Sequence, residues 1–356
     1  MGKVVLMEKW PVLGRHERAV VWLRVWADLG RAPRTMDAYA RGLAEYLEMC
    51  ERVEVDPLEA DRAHIASYIR ELAERPSRRG ANVVSIDSGA GLANATLQQR
   101  MVPVRLFYDF LVEEGVRESN PVGRGRYTSR SRCSGHQRGL IPRLTKLPWI
   151  PTESQWLELL AVAAGEPVRN RVMLALAYDA ALRREELCSL RTDDLDPARR
   201  MLRIRAETTK NRLERLVPYS ATTGVLLSSY LVHRATISRA RGPLFLSESR
   251  RNRAAPLSLW TWSKVVRRLA LAAELPQFST HTTRHLCLTD LARMGWELHA
   301  IAIFAGHRST DSTLAYIHLS GRDLADKLSR GMEQIHGWRV RTLARLGEQE
   351  SGAVTP

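Results

Sequence analysis

His281-Thr282-Thr283-Arg284-His285, followed by Gly306-His307 and then Tyr316, is the stretch on which the reading of this chain turns. Its imidazoles, guanidinium and phenol suit chemistry at a phosphodiester, where an arginine fork holds the anion and a phenol oxygen attacks it. Ser279 or Thr280 is placed to cap a helix carrying His281, Arg284 and His285 in its first turns, where free N–H groups and the dipole favour an anion. Leu288, Leu291 and Ala292 face the core from that helix, and Gly295 ends it. Ile301, Ile303 and Phe304 belong to a second buried helix closed by Gly306, and Ser309 or Thr310 caps the helix bearing Tyr316.

The whole chain has the charge for such a partner. Its 356 residues hold 54 Lys+Arg against 39 Asp+Glu, a formal net charge of +15. That surplus favours polyanions, nucleic acid above a membrane surface. No apolar run approaches the roughly 20 residues that span a bilayer, and no secretory signal opens the chain. Cys50, Cys133, Cys188 and Cys287 form no CxxC pair, so neither a disulfide framework nor a zinc site is expected, and a cytoplasmic location fits. With no P-loop and no compact Asp/Glu/His cluster, the expectation is no cofactor and no metal.

Upstream of residue 122 the periodicity is helical. One helix carries Val20, Leu23 and Trp26 and stops at Gly30; a second, capped by Thr35, carries Tyr39, Leu43, Tyr46 and Leu47. A third runs from Leu58 to Leu72, and a fourth from near Thr96 to Gly115, kinked by Pro103 unless that residue lies near its start. Such a bundle could clamp DNA or be an ordinary bundle with a solvated basic surface. Val122 to Pro148 then holds seven basic residues and no acidic one: Arg124, Arg126, Arg130, Arg132, Arg138, Arg143 and Lys146. It reads as a linker, either merely solvated or lying along a phosphate backbone, where each contact releases counterions.

In the second half, Thr152 caps a helix that turns Trp156, Leu159 and Leu160 inward. A further helix from Val168 leads through Ala180-Ala181-Leu182-Arg183-Arg184-Glu185-Glu186-Leu187, with Leu182, Glu186 and Leu190 on one face. Met201–Arg205 and Leu213–Pro218 form a hairpin signal with Lys210 near its tip. Leu244–Leu246 reads as a short strand, and Trp262–Ala273 as a basic amphipathic helix.

Taken together, these boxes resemble the tyrosine recombinase (phage integrase) family. Ala181-Leu182-Arg183-Arg184-Glu185-Glu186-Leu187 is similar to its Gly-Leu-Arg-x-x-Glu-Leu pattern. Lys210 before Glu214-Arg215-Leu216-Val217-Pro218 looks like the hairpin lysine; His281-x-x-Arg284-His285, Gly306-His307 and Tyr316 supply the rest. The departures are Ala181 for the glycine before the first arginine and Ala305 where leucine is usual.

The resemblance implies a mainly α fold with a small antiparallel β-sheet. A four-helix core-binding domain (12–121) precedes the basic linker (122–148), a mixed α/β catalytic domain (149–325) and a tail (326–356) that docks on a neighbouring protomer or in cis. It implies a DNA breaking-rejoining enzyme with Arg183, Lys210, His281, Arg284, His307 and the nucleophile Tyr316 as catalytic residues. Glu186 and His285 are expected to support them, and Arg124, Arg126, Arg130, Arg132, Arg143 and Lys146 to touch DNA. The implied partner is double-stranded DNA, bound by a homo-oligomer (a tetramer), with a related recombinase or a DNA-bending protein as a possible accessory and no membrane. Integration, excision or transposition of a mobile element is the role expected. Type IB topoisomerase-like relaxation and chromosome-dimer resolution are the alternatives.

Overall fold

The computed structural model describes residues 2–75, 92–123, 140–141, 148–209, 211–308, 310 and 313. The chain divides into two compact units, residues 1–145 and 146–356, each with its own apolar core.

The first unit is built on four long helices: α3 (Glu17–Asp28), α4 (Pro33–Arg52), α5 (Arg62–Glu74) and α6 (Asn94–Glu113), preceded by the short α1 (Gly2–Lys9) and α2 (Pro11–Arg15). The sequence reading missed the two short helices, although Val12 and Leu13 of α2 are buried in the core. Pro33 opens α4 in place of the expected Thr35 cap, and Met36, Ala40, Leu43 and Leu47 form its inward stripe. The third helix starts later than expected, because the Asp61 carboxylate accepts the backbone N–H groups of Ala63 and His64 and fixes the first turn there. Pro103 lies inside α6, yet α6 remains one helix, and a Cβ added at Gly42 of α4 would meet the proline ring at 2.5 Å. The Tyr46 and Tyr108 hydroxyls share a buried hydrogen bond of 2.6 Å, and Tyr108 donates onward to the Pro57 carbonyl. Val122 and Ile141, assigned to the linker by sequence, are buried in this unit's core.

The second unit contains α7 (Glu153–Ala164), α8 (Val168–Asp179), the five-residue α9 (Arg184–Cys188), a sheet, α10 (Ala221–Ile237), α11 (Leu259–Ala272), α12 (Thr282–Arg293) and α13 (Leu298–Ala305). Thr152 caps α7 through its hydroxyl, which accepts from the Gln155 N–H. The sheet is antiparallel in the order β1 (Leu195–Asp196), β2 (Met201–Ile204), β3 (Arg215–Pro218), with Leu202 opposite Val217 and Ile204 opposite Arg215. Fold class and sheet agree with the sequence expectation: mainly helical with one small antiparallel sheet.

Some local expectations fail. No continuous helix carries Leu182, Glu186 and Leu190, because α8 ends at Asp179, Ala181 takes a left-handed φ of 46° and Arg183 is extended before α9 begins. Leu244–Leu246 forms no strand; its backbone pairs instead in single bonds, Leu244 to the Leu190 carbonyl and Leu257 to the Phe245 carbonyl. Leu160 and Ile303, expected inside, are exposed. Among the described residues no helix is long and apolar enough to cross a membrane.

Candidate active site

The break between α8 and α9 delivers Arg183 to the site. As N-cap of α9 it lies outside the helix, where its N–H and one side-chain nitrogen are both held by Glu186: Arg183 N donates to Oε2 at 2.9 Å and Nη1 to Oε1 at 2.8 Å. The expected pairing therefore exists, through a cap rather than a helix face. Glu186 is fully buried, and Arg215, the first residue of β3, forks it from the other side, with Nη1 at 3.1 Å from Oε1 and Nη2 at 2.8 Å from Oε2. Burial pushes the Glu186 carboxyl up, but the Arg215 fork, followed by the N–H and charge of Arg183, pulls it down to about 2. The carboxylate is ionised.

Arg284, in the first turn of α12, is buried. Its Nη1 donates to the Ala181 carbonyl; Nη2 donates to the Ala305 carbonyl at 2.6 Å and meets His307 Nε2 at 2.9 Å. The left-handed turn at Ala181 presents the first of those carbonyls, and the end of α13 presents the second. Arg183 reaches the same corner, with Nη1 at 3.4 Å from the Ala305 carbonyl and Nη2 at 3.3 Å from that of Gly306. The two arginines thus converge on one carbonyl, one from the N-cap of α9 and one from the first turn of α12.

Gly306 closes α13 with φ 63°, so its N–H can turn back to the helix, and His307 follows. A guanidinium can only donate, so His307 Nε2 accepts from Arg284 and Nδ1–H donates to Thr313 Oγ1 at 2.8 Å. Burial, then the charges of Arg284, Arg183 and Arg215, lower the His307 pKa to about 4, in keeping with this neutral tautomer. His281 is the exposed N-cap of α12, without a side-chain cap bond; Ser279 exchanges hydrogen bonds with Thr282 and accepts from the His281 N–H. Desolvation by its surroundings, then the charges of Arg184, Arg284 and Arg183, lower its pKa. His285 follows Arg284 on α12, half-buried.

Of the residues singled out by sequence, Arg183, Glu186, Arg284 and His307 come together in one network. Lys210, Tyr316, Arg124, Arg126, Arg130, Arg132, Arg143, Lys146 and the tail 326–356 lie outside the described residues. Arg215 and Thr313 were missed. Arg215 occupies, with Val217, the alternate positions of β3 that face inward, where an arginine needs a buried partner; that orientation comes from the structure and is not marked in the sequence. Among the described residues no three His, Cys, Asp or Glu side chains are grouped to hold a metal ion.

Three guanidiniums and a neutral imidazole around one carboxylate leave a positive surplus, the composition of a site for an oxyanion. Residues 151–322 match the model of the phage integrase family. The chain is 31% identical over 310 residues to the tyrosine recombinase XerD of Xanthomonas campestris pv. campestris, covering 82% of this chain and 84% of that one. It therefore belongs to the phage integrase family of tyrosine recombinases, enzymes that break and rejoin DNA. The tyrosine recombinase XerC of Mycobacterium tuberculosis is 27% identical over 302 residues, 80% of this chain and 95% of the relative. The fold is shared with a crystal structure of the XerH site-specific recombinase bound to a palindromic difH substrate, at a TM-score of 0.62 and 17% identity over 84% of this chain and 80% of that one. It is also shared with a lambda integrase dimer bound to a COC′ core site, at a TM-score of 0.62 and 17% identity over 86% of this chain and 96% of that one.

Proposed function

We propose that the chain recombines double-stranded DNA at specific sites through a 3′-phosphotyrosine formed on Tyr316. The observation that carries this is the convergence of Arg183 and Arg284 on the Ala305 carbonyl, beside His307, around an ionised Glu186. Attack on phosphorus builds negative charge on the non-bridging oxygens, and donors fixed beforehand stabilise it most. Arg183 and Arg284 supply those donors. His307 adds a hydrogen bond once a phosphate draws it from Arg284 and its ring proton shifts to Nε2, with Thr313 then donating to Nδ1; His281 adds another or accepts the phenol proton. Lys210 protonates the leaving 5′-oxygen. Glu186 orients Arg183, and His285 supports α12. The phosphotyrosine bond keeps the energy of the broken linkage, so the freed 5′-hydroxyl can be rejoined without ATP.

Arg124, Arg126, Arg130, Arg132, Arg143 and Lys146 follow the DNA backbone, and exchange takes place in a homo-tetramer holding two duplexes. For the biological role we take integration, excision or transposition of a mobile element, supported by the long basic segment from Val122 to Pro148. Chromosome-dimer resolution is the second reading, favoured by the likeness to proteins named XerD and XerC over about four-fifths of the chain. Deleting the gene separates them: loss of a circular excised element supports the first, and accumulation of dimeric chromosomes the second.

The chemistry is tested by trapping the covalent complex on a nicked suicide substrate. Tyr316→Phe is expected to bind DNA as the wild type does and to form no protein–DNA adduct. An adduct in that variant would remove Tyr316 from its role.

A further inference from the structure

We infer that Arg215 is a positioning residue for strand cleavage: by occupying the Glu186 carboxylate, it keeps the charge and outer donors of Arg183 available for the scissile phosphate. The inference rests on the recombinase chemistry proposed above and deepens it at one residue.

Glu186 offers two oxygens with roughly four lone-pair directions. Four donors fill them. Arg215 supplies one to each oxygen, the Arg183 backbone N–H supplies another, and only one comes from the Arg183 side chain. Arg183 is thereby limited to a single side-chain bond with the carboxylate. Its remaining contacts, to the Ala305 and Gly306 carbonyls, are long at 3.4 and 3.3 Å, and its side chain is 22% exposed against 8% for Arg215. Arg183 is the guanidinium with donors to spare at the surface.

Without Arg215, each oxygen of a buried carboxylate would lose one of its two donors. The nearest remedy is for Arg183 to turn both Nη groups onto Glu186 in a closed fork, the strongest geometry such a pair can adopt. That withdraws the donors from the phosphate and cancels the charge. Arg215 also donates from Nε to the Phe304 carbonyl, and its side chain lies within 3.1 Å of where a Gly306 Cβ would stand, so it steadies the turn that leads to His307. The Glu186 pKa agrees: after the opposing effect of burial, the largest influence on it is Arg215, ahead of Arg183.

The test is single-turnover cleavage of a suicide substrate at saturating protein, with Arg215→Met, Arg215→Lys and each combined with Glu186→Gln. Arg215→Met is expected to cleave about 10²-fold more slowly, the size of an ångström misplacement of reacting groups, while binding DNA like the wild type. Glu186→Gln in the same chain is expected to recover about tenfold or more, because an amide no longer attracts Arg183 as a carboxylate does. The deficit should also shrink on a neutral methylphosphonate linkage, which has less charge for Arg183 to meet; general damage would slow both linkages equally. Arg215→Met within about threefold of wild type, a double variant no faster than the single, or equal deficits on the two linkages would each overturn the inference. If Arg215→Met fails to fold, Arg215→Lys with and without Glu186→Gln decides it by the same rescue. Failure of the underlying chemistry would appear separately, as a wild type that forms no adduct or a Tyr316→Phe chain that does.

Discussion

Ala181 and Gly306 hold left-handed backbone on the two sides of the site, at φ 46° and 63°. For an L-residue with a Cβ that conformation costs roughly 1–2 kcal/mol. Ala181 bears it while its carbonyl accepts from Arg284. Gly306 avoids it and has a second reason to be glycine: an added Cβ would stand 2.9 Å from Arg215 Nη1, whose fork onto Glu186 leaves it little room to move. Gly306→Ala is therefore expected to lose about 1–2 kcal/mol in stability and to slow suicide-substrate cleavage, both measured on the purified protein. Unchanged thermal unfolding together with unchanged cleavage would show that Arg215 yields freely. Arg183, Glu186, Arg284 and His307 could be read from sequence because each belongs to a short box. Arg215 could not be read that way. Its importance depends on which face of β3 turns inward and on what waits there, and the box Glu214-Arg215-Leu216-Val217-Pro218 says neither.

Among the elements, the contact of α4 with α6 shows how a residue that weakens helices can be used. Pro103 has no N–H to give the Gln99 carbonyl, and its ring crowds the preceding turn. The ring nevertheless finds space across the interface at Gly42, where no side chain intervenes. Gly42→Ala should force the helices apart and destabilise the first unit by about 1–3 kcal/mol, the usual cost of overpacking, read from its denaturant midpoint. A midpoint at or above that of the wild type would mean that α6 shifts without cost. Helix ends were less legible than helix middles. The apolar stripe of α4 follows from periodicity, but the stop at Asp179 does not, since Ala180-Ala181-Leu182 carries no glycine or proline to mark it. What ends α8 is tertiary: the Ala181 carbonyl is needed by an arginine from another helix.

Over the whole molecule, His307 and Glu186 in the site, alongside the lowered His281, tie stability to pH in one direction. His307 in the fold has a pKa of about 4, below its ordinary 6.5, so the folded state rejects a proton that the unfolded chain accepts. Its contribution is complete above the ordinary value and is lost as pH falls towards 4. Glu186, held at about 2 against an ordinary 4.5, contributes above the ordinary carboxylate range and loses that contribution as pH falls towards 2. The second unit should therefore lose stability continuously on acidification from about pH 6.5, as followed by its denaturant midpoint. Replacing His307 by Gln should flatten the upper limb alone. A wild-type midpoint constant between neutrality and pH 4 would contradict this. At this scale the fold class and the basic surplus were legible in the sequence. The division near residue 145 was less so, because Val122 and Ile141 look like parts of a polar linker until the apolar core that receives them is seen.

Arg284 bonds both to the Ala181 carbonyl, 103 residues earlier in the chain, and to the Ala305 carbonyl, 21 residues later. A polypeptide leaves the ribosome from its N-terminus, at about 5–20 residues per second, so the first unit can close while this site is still in pieces. Arg183 emerges early and can pair with Glu186, which Arg215 joins later, but it has no Ala305 or Gly306 carbonyl to reach until α13 arrives. A partly made chain can therefore present a basic surface without a competent cleavage centre. The order of synthesis becomes a safeguard: the last turn of α13 must be in place before the chemistry can begin.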